Sequence, residues 1–338
     1  MNPAPVNRSI DSPLTRTRWI NTRLLLETAL LFVALALLAN YCGPRAGQSG
    51  GWLAAYLVIW LMQGLMLQRL YIIAHEAAHR KLAARGWLND LLGQVVLSSI
   101  FVPLQVYRKI HQFHHGFNRK DIYTSALDVF VSPWPVTPLI KVICFGLWYL
   151  GVFAGGLFLH SLVSIVLFLF MPVRLAQKIS PAFRQWRNRD RLIAWAQFLS
   201  AVAMQFAVGR VLGFEAWVYT FGLPLISFAW IWSLMVYVFH YNTTLGDQIR
   251  YNVRAINANR LLRWWLMNFN QHATHHMYPN LPWHALPIKA TDLPAPFAEK
   301  NPTARSLPHA ILNQLHGPTV VYKHDRNPAP RLLLHWED

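Results

Sequence analysis

The sequence predicts an all-α integral membrane protein: four transmembrane helices in two hairpins, linked by interfacial or re-entrant helices and closed by a cytoplasmic histidine-rich cap. Three observations carry that expectation. Of 338 residues, 54% are apolar and 13% charged, more hydrophobic surface than one soluble core of this size can hide, so lipid must cover the excess. Four apolar runs approach or exceed the ~20 residues that a hydrocarbon core demands. The formal net charge of +17 comes from basic residues placed between apolar runs, with no continuous patch or motif for nucleic acid.

In chain order, residues 1–23 form a basic segment with Arg8, Arg16, Arg18 and Arg23. It lacks a short apolar stretch ending in a small-residue cleavage site, so no removable signal peptide is expected. Residues 24–42 and 52–74 form the first hairpin, turning through a Gly-rich 43–51. Residues 91–100 are apolar but too few to span, and are expected to lie at the interface or buried. Residues 139–171 are too long for one upright helix and too short for two with a loop. Residues 192–211 and 214–239 form the second hairpin, apolar all round as lipid-buried helices are. From about Pro287 the chain turns polar and Pro-rich, which predicts an irregular tail. The expected organisation is a basic N-terminus (1–23), a membrane domain with its cap (24–287) and a tail (288–338).

Orientation follows from the basic residues, which crowd the N-terminus, 80–120, 174–191 and the chain after Arg250, while the hairpin turns hold only Arg45 and Arg210. All crowded segments, and both termini, are expected on the cytoplasmic face of a membrane, a bacterial inner membrane being the expected address. A single crossing by 139–171 would put 174–191 outside, so this stretch is expected to dip into the near leaflet or lie flat.

Three histidine clusters stand out: His75 and His79 in HEAAH, His111, His114 and His115 in HQFHH, and His272, His275 and His276 in HATHH. Residues three and four apart share a helical face, so each cluster aims its imidazoles one way, and the topology brings all three to the same side. His240, ending the fourth span at that depth, can add a ninth nitrogen. Eight or nine imidazoles overfill a single zinc and suit two metals. Cys42 and Cys144 both lie in apolar stretches, leaving no thiolate site. Imidazole alone does not select among zinc, copper, iron and nickel, but a metal pair beside spans able to hold an acyl chain suits redox attack on an unreactive C–H bond. Glu76, rotated about 100° from His75, is not an expected ligand.

These boxes, His240, the stretch from Pro103 to His115 with Arg108 and Lys109, and HHMYPNLPWHALP after the third box resemble the membrane-bound fatty-acid desaturase superfamily, over roughly residues 24–287. The resemblance implies a diiron enzyme using dioxygen and two external electrons, with His75, His79, His111, His114, His115, His240, His272, His275 and His276 as ligands. It implies action on a fatty acid or fatty-acyl lipid, most often desaturation, with hydroxylation or oxidative decarboxylation to a terminal alkene as alternatives. Asn242 or Asp247 become candidate partners of the ligands. Where some relatives carry an asparagine that holds a metal-bound water, this chain has Val236.

Other readings stay open. HEAAH alone is also the pattern of a zinc metalloprotease, with Glu76 as general base, and the histidines could serve a metal-binding carrier. His160 reads as structural, and His284, His309, His316, His324 and His335 as surface residues of the tail. Gln63, Gln68 and Arg69 either line a substrate channel or bond between helices. No haem domain, iron–sulfur cysteine set or dinucleotide fingerprint is evident, so electrons are expected from an external ferredoxin, rubredoxin or cytochrome b5-type donor, attracted by the basic face.

Overall fold

The computed structural model describes residues 13–125, 128–156, 164, 166–179 and 181–324. Arg8, His160, His335 and residues 157–163 and 165 of the ambiguous apolar stretch lie outside them.

Four helices among the described residues are long and apolar enough to cross a membrane. The first, α1 (Pro13–Cys42), and the second, α2 (Gly50–Ala78), are joined by a turn in which the Ser49 side chain accepts from the backbone N–H of Trp52 and so starts α2. Two shorter helices follow, α3 (Gly86–Ser98) and α4 (Leu104–Phe117). A short strand, β1 (Val129–Ser132), leads to α5 (Pro138–Phe153), started by Thr137 with Pro138 at the first helical position. Its 16 residues give a length of about 24 Å, short of the ~30 Å of a hydrocarbon core. After α6 (Val173–Ile179), the second pair of long helices is α7 (Asn188–Leu212) and α8 (Phe214–Val236), which meet at Gly213 with a φ of +88° that favours glycine.

The packing of α2 on α8 positions everything that follows. Gly64 sits where a Cβ would come within 2.2 Å of Ser227 Oγ, so the two backbones approach closely there. Nearby, α8 makes a π turn at Val218–Gly222, followed by Pro224, which has no N–H to give the Thr220 carbonyl. Gln63 Nε2 donates to that carbonyl at 3.2 Å, and Trp60 Nε1 donates to the Leu223 carbonyl at 2.8 Å. Gln63 is therefore a bond between helices. Arg69 is likewise occupied: its guanidinium donates to Thr28 Oγ1 at 3.1 Å and to the Trp264 and Trp265 carbonyls.

At the end of α2 and α8 that carries the histidines, short elements build a cap. They include β2 (Ala255–Ile256), α9 (Arg260–Trp265) and α10 (His272–Met277). Between Pro287 and His324 the described chain is not irregular as its composition predicts. It forms α11 (Ala295–Lys300), β3 (Thr303–Ala304), α12 (Leu307–Asn313) and β4 (Thr319–Tyr322). β3 pairs in parallel with β2 and β4 with β1, in the register Val129 to Thr319. Buried side chains also fasten this segment to the bundle: Trp148 Nε1 donates to the Gln314 carbonyl at 2.9 Å, and the Tyr241 hydroxyl to the Gly317 carbonyl at 2.7 Å. Composition misses such pairing because it is made with residues 48 to 190 positions away.

Candidate metal centre

The last turn of α2 carries His75 and the residue that caps it is His79, at spacing i, i+4 with helical backbone, so both rings project from one face. The helix α4 does the same with His111 and His115, and α10 with His272 and His276. His240 follows the end of α8 in a tight turn, its N–H bonded to the Tyr237 carbonyl at 2.9 Å. The fold brings all nine rings together in two groups able to hold a metal ion: His75, His79, His111, His115 and His275 in one, His114, His240, His272 and His276 in the other.

The division runs through the sequence boxes, not between them. In each of the second and third boxes the i, i+4 pair stays in one group while the intervening residue crosses to the other. His114 leaves His111 and His115, and His275 leaves His272 and His276. Helical geometry explains this: successive positions three and four residues on point about 60° to one side and about 40° to the other of the first, so adjacent His114 and His115 diverge by about 100°. The two groups thus interlock, with His115 and His276 stacked at 4.4 Å between ring centroids.

The donor chemistry suits a cation. Nε2 of His111 lies 2.6 Å from Nε2 of His79 and 3.0 Å from that of His115, which in turn lies 3.0 Å from that of His275. In the other group the Nε2 atoms of His114, His276, His272 and His240 follow at 3.0, 3.1 and 3.1 Å. A ring nitrogen carries either one proton or one lone pair, so this many mutually facing nitrogens cannot all be satisfied by bonding one another. A shared ion satisfies them. Burial first, and then neighbouring imidazoles, push His111, His272, His275 and His276 well below the ordinary histidine range, and burial with His240 does so for His114. Burial, chiefly, lowers His79 to about 4, His115 to about 2 and His240 to about 3. The rings are therefore neutral, the form that ligates metal.

Residues around the second group hold it in place. His240 Nδ1 lies 2.7 Å from Asn118 Nδ2 and 3.1 Å from the Asn252 carbonyl oxygen; a single ring nitrogen serves one of the two, and donation of its proton to the carbonyl leaves Nε2 bare to face the cluster, with the Asn118 amide packed against the ring. Asn252 donates in turn to the Arg119 carbonyl at 2.8 Å. Buried Arg119 pairs with buried Asp128 at 2.5 Å and donates to the Thr243 carbonyl at 2.7 Å, bracing the loop after His240. The sequence pointed instead to Asn242 and Asp247. Only the backbone N–H of Asn242 takes part, donating to Asp128 Oδ2 at 2.8 Å, and Asp247 is 89% exposed beside Lys120. Asn118, Arg119, Asp128 and Asn252 went unnoticed because no spacing marks them.

Glu76 belongs to neither group. Its Oε2 accepts from the backbone N–H of Trp283 at 3.1 Å, tying α2 to the segment after the third box. Among the described residues His284, His309, His316 and His324 are outside both groups. A cavity of about 410 Å³ opens beside the histidines between α2, α4 and α8, walled by Ile72, Val106, Phe228, Trp232 and Met235 and reaching His75, His111 and His272.

Comparison with known proteins places this geometry in context. The model of the fatty acid desaturase family matches residues 50–308. Among curated proteins the chain is 25% identical over 257 residues to an sn-1 acyl-lipid omega-3 desaturase (ferredoxin) of Nostoc sp. (strain 36), covering 70% of this chain and 66% of that one. It is 22% identical over 294 residues to a chloroplastic omega-3 fatty acid desaturase of Glycine max, covering 78% and 62%. To the fatty acid conjugase FAC2 A of Calendula officinalis it is 24% identical over 308 residues, covering 81% and 76%. The chain thus spans slightly less than two thirds of the length of the first two.

Proposed function

Because the chain belongs to the fatty acid desaturase family, we propose that it is an oxygen-dependent oxidoreductase that modifies the acyl chain of a fatty acid or fatty-acyl lipid, most often by desaturation. The observation that carries this reading is the pair of interlocked histidine groups at the mouth of an apolar cavity lying between helices long enough to span a membrane. In the proposal, two iron ions are the metals, His75, His79, His111, His115 and His275 holding one and His114, His240, His272 and His276 the other. When bound, such a pair supplies the activation of dioxygen needed to remove hydrogen from an unactivated C–H bond.

The chain's own residues do the rest. Apolar walls at Ile72, Val106 and Met235 hold an acyl chain and keep water from it, and the position of the chain against His75, His111 and His272 sets which carbon reacts. Asn118 and the Asn252 carbonyl hold the His240 ring at a fixed angle. Removal of two hydrogens gives an alkene. Hydroxylation and oxidative decarboxylation at the same site are the alternatives. The proposed setting is a bacterial inner membrane, with the histidine cap, the basic 1–23 segment and the chain after 287 all on the cytoplasmic side, where basic residues crowd. An external ferredoxin, rubredoxin or cytochrome b5-type donor brings the electrons. Its reduction of the enzyme slows as salt rises, and a salt-independent rate argues against electrostatic docking.

A zinc protease reading would make Glu76 a general base, yet one carboxylate oxygen accepts from the Trp283 N–H, the other lies 3.4 Å from His75 Nδ1, and neither is among the clustered donor atoms. Metal analysis tests the proposal first: about two irons per chain, retained in Glu76→Gln and lost in His111→Ala or His272→Ala. Mass spectrometry of products formed from fatty acids with a reducing system reads the outcome as loss of two hydrogens, gain of an oxygen or loss of a carboxyl. One zinc per chain, with activity abolished by Glu76→Gln, would refute it.

A further inference from the structure

The cavity beside the histidines is apolar along most of its length, but its far end is not. On α2 its wall runs from His75 back through Ile72 and Tyr71 to Gln68. Seven residues separate Gln68 from His75, two turns on the same face, which places it about 10 Å deeper along the helix. The Gln68 side chain is buried at 5% exposure, and its Oε1 meets no hydrogen-bond partner among the described residues. Gln63, on the same helix, gives its amide to the Thr220 carbonyl across the helix pair. Tyr71, the polar neighbour of Gln68 on the cavity wall, is already hydrogen-bonded to Tyr107 and Trp232. Among the unpartnered buried polar atoms, those lining the cavity belong to His75 and His272 of the metal groups and to Gln68.

A buried amide oxygen left unbonded costs free energy that a leucine at this position would not, if only methylenes passed. Resting on the reading of the cavity as an acyl-chain site, we infer that Gln68 is a specificity-determining residue that selects a chain bearing a hydroxyl near its far end. A hydroxyl can donate its proton to that oxygen, which a methylene cannot. A carboxylate does not suit the place, because apolar residues such as Ile100 and Phe228 also line the cavity and an unpaired charge there is far costlier than a neutral group.

The test is equilibrium binding to the purified full-length protein in lipid nanodiscs, with and without iron, of terminal-hydroxy fatty acids against unsubstituted acids of equal carbon number over a series of lengths. At one length the hydroxy acid binds about tenfold more tightly. Gln68→Leu, close in volume, binds the unsubstituted acid at least as well as the natural protein does and loses the preference. Gln68→Asn, with the amide on a shorter stem, keeps the preference and moves it to a longer chain. Absence of a hydroxyl preference at every length, or its persistence in Gln68→Leu, overturns the inference while leaving the acyl-chain site intact. Failure of both series to bind the natural protein overturns the acyl-chain reading itself and this inference with it.

Discussion

Replacing Asn118 with leucine separates the two histidine groups. The Asn118 amide lies 2.7 Å from His240 Nδ1, and His240 belongs to the group of four with His114, His272 and His276. Loss of such a partner weakens metal affinity by roughly 10-fold to 100-fold. The Asn252 carbonyl, at 3.1 Å from the same nitrogen, still accepts its proton, so the ring keeps its tautomer and the loss falls near 10-fold, or about 1.4 kcal/mol. The group of five shares no ligand with His240 and is unaffected. Chelator titration of the iron-loaded protein, with metal released per chain measured at each chelator concentration, then shows two steps. The step that belongs to the group of four moves by about tenfold in the variant and the other stays in place. Equal weakening of both steps, or of neither, would refute the partition of ligands into five and four and the role of Asn118 in holding His240.

Other substitutions probe the frame. Arg119→Leu leaves Asp128 buried and unpaired, the pair being 0% and 2% exposed, and lowers the unfolding free energy by about 3–5 kcal/mol in chemical denaturation. Gly64→Val drives a side chain into Ser227 and the Phe228 backbone across the α2–α8 contact, and is expected to lower the melting temperature or abolish accumulation of folded protein, with Gly64→Ala milder. In the metal-free protein, burial holds His79 at about 4, His240 at about 3 and His115 at about 2, whereas the unfolded chain titrates near ~6.5. Between those values the unfolded chain binds more protons. Stability is therefore fully present above ~6.5 and is lost as pH falls from there towards the folded values, which melting temperatures measured from about pH 8 down to about pH 5 will show. A flat profile would mean that the rings are not buried in neutral form.

How much was legible before any fold was known varies with the range of the interaction concerned. The long apolar runs placed the four helices because lipid imposes one requirement along the whole run: 192–211 is the core of Asn188–Leu212, and 24–42 that of Pro13–Cys42, whose start lies eleven residues earlier, within the basic segment. The pairs His75 with His79, His111 with His115 and His272 with His276 were equally legible, since a helix turn alone sets which side chains share a face. The chain after 287 misled, because its prolines suggested an irregular tail while β3 and β4 pair with β2 and β1 far back in the sequence. Gln63 and Arg69 could not be told apart from Gln68 by composition. Two of them reach carbonyls on other segments, and the third faces the cavity.

By itself, then, the sequence determined the apolar helices, the faces from which the histidines project and the side of the bundle to which they belong, all of them consequences of periodicity and local charge. Tertiary structure alone decided which imidazole joins which ion site, with His114 and His275 crossing between them, and which polar groups hold His240 still. Those choices depend on the angles at which α2, α4 and α10 meet and on where the loop after α8 is pinned. Such angles come from side chains packed across the bundle, and one-dimensional spacing carries no record of them.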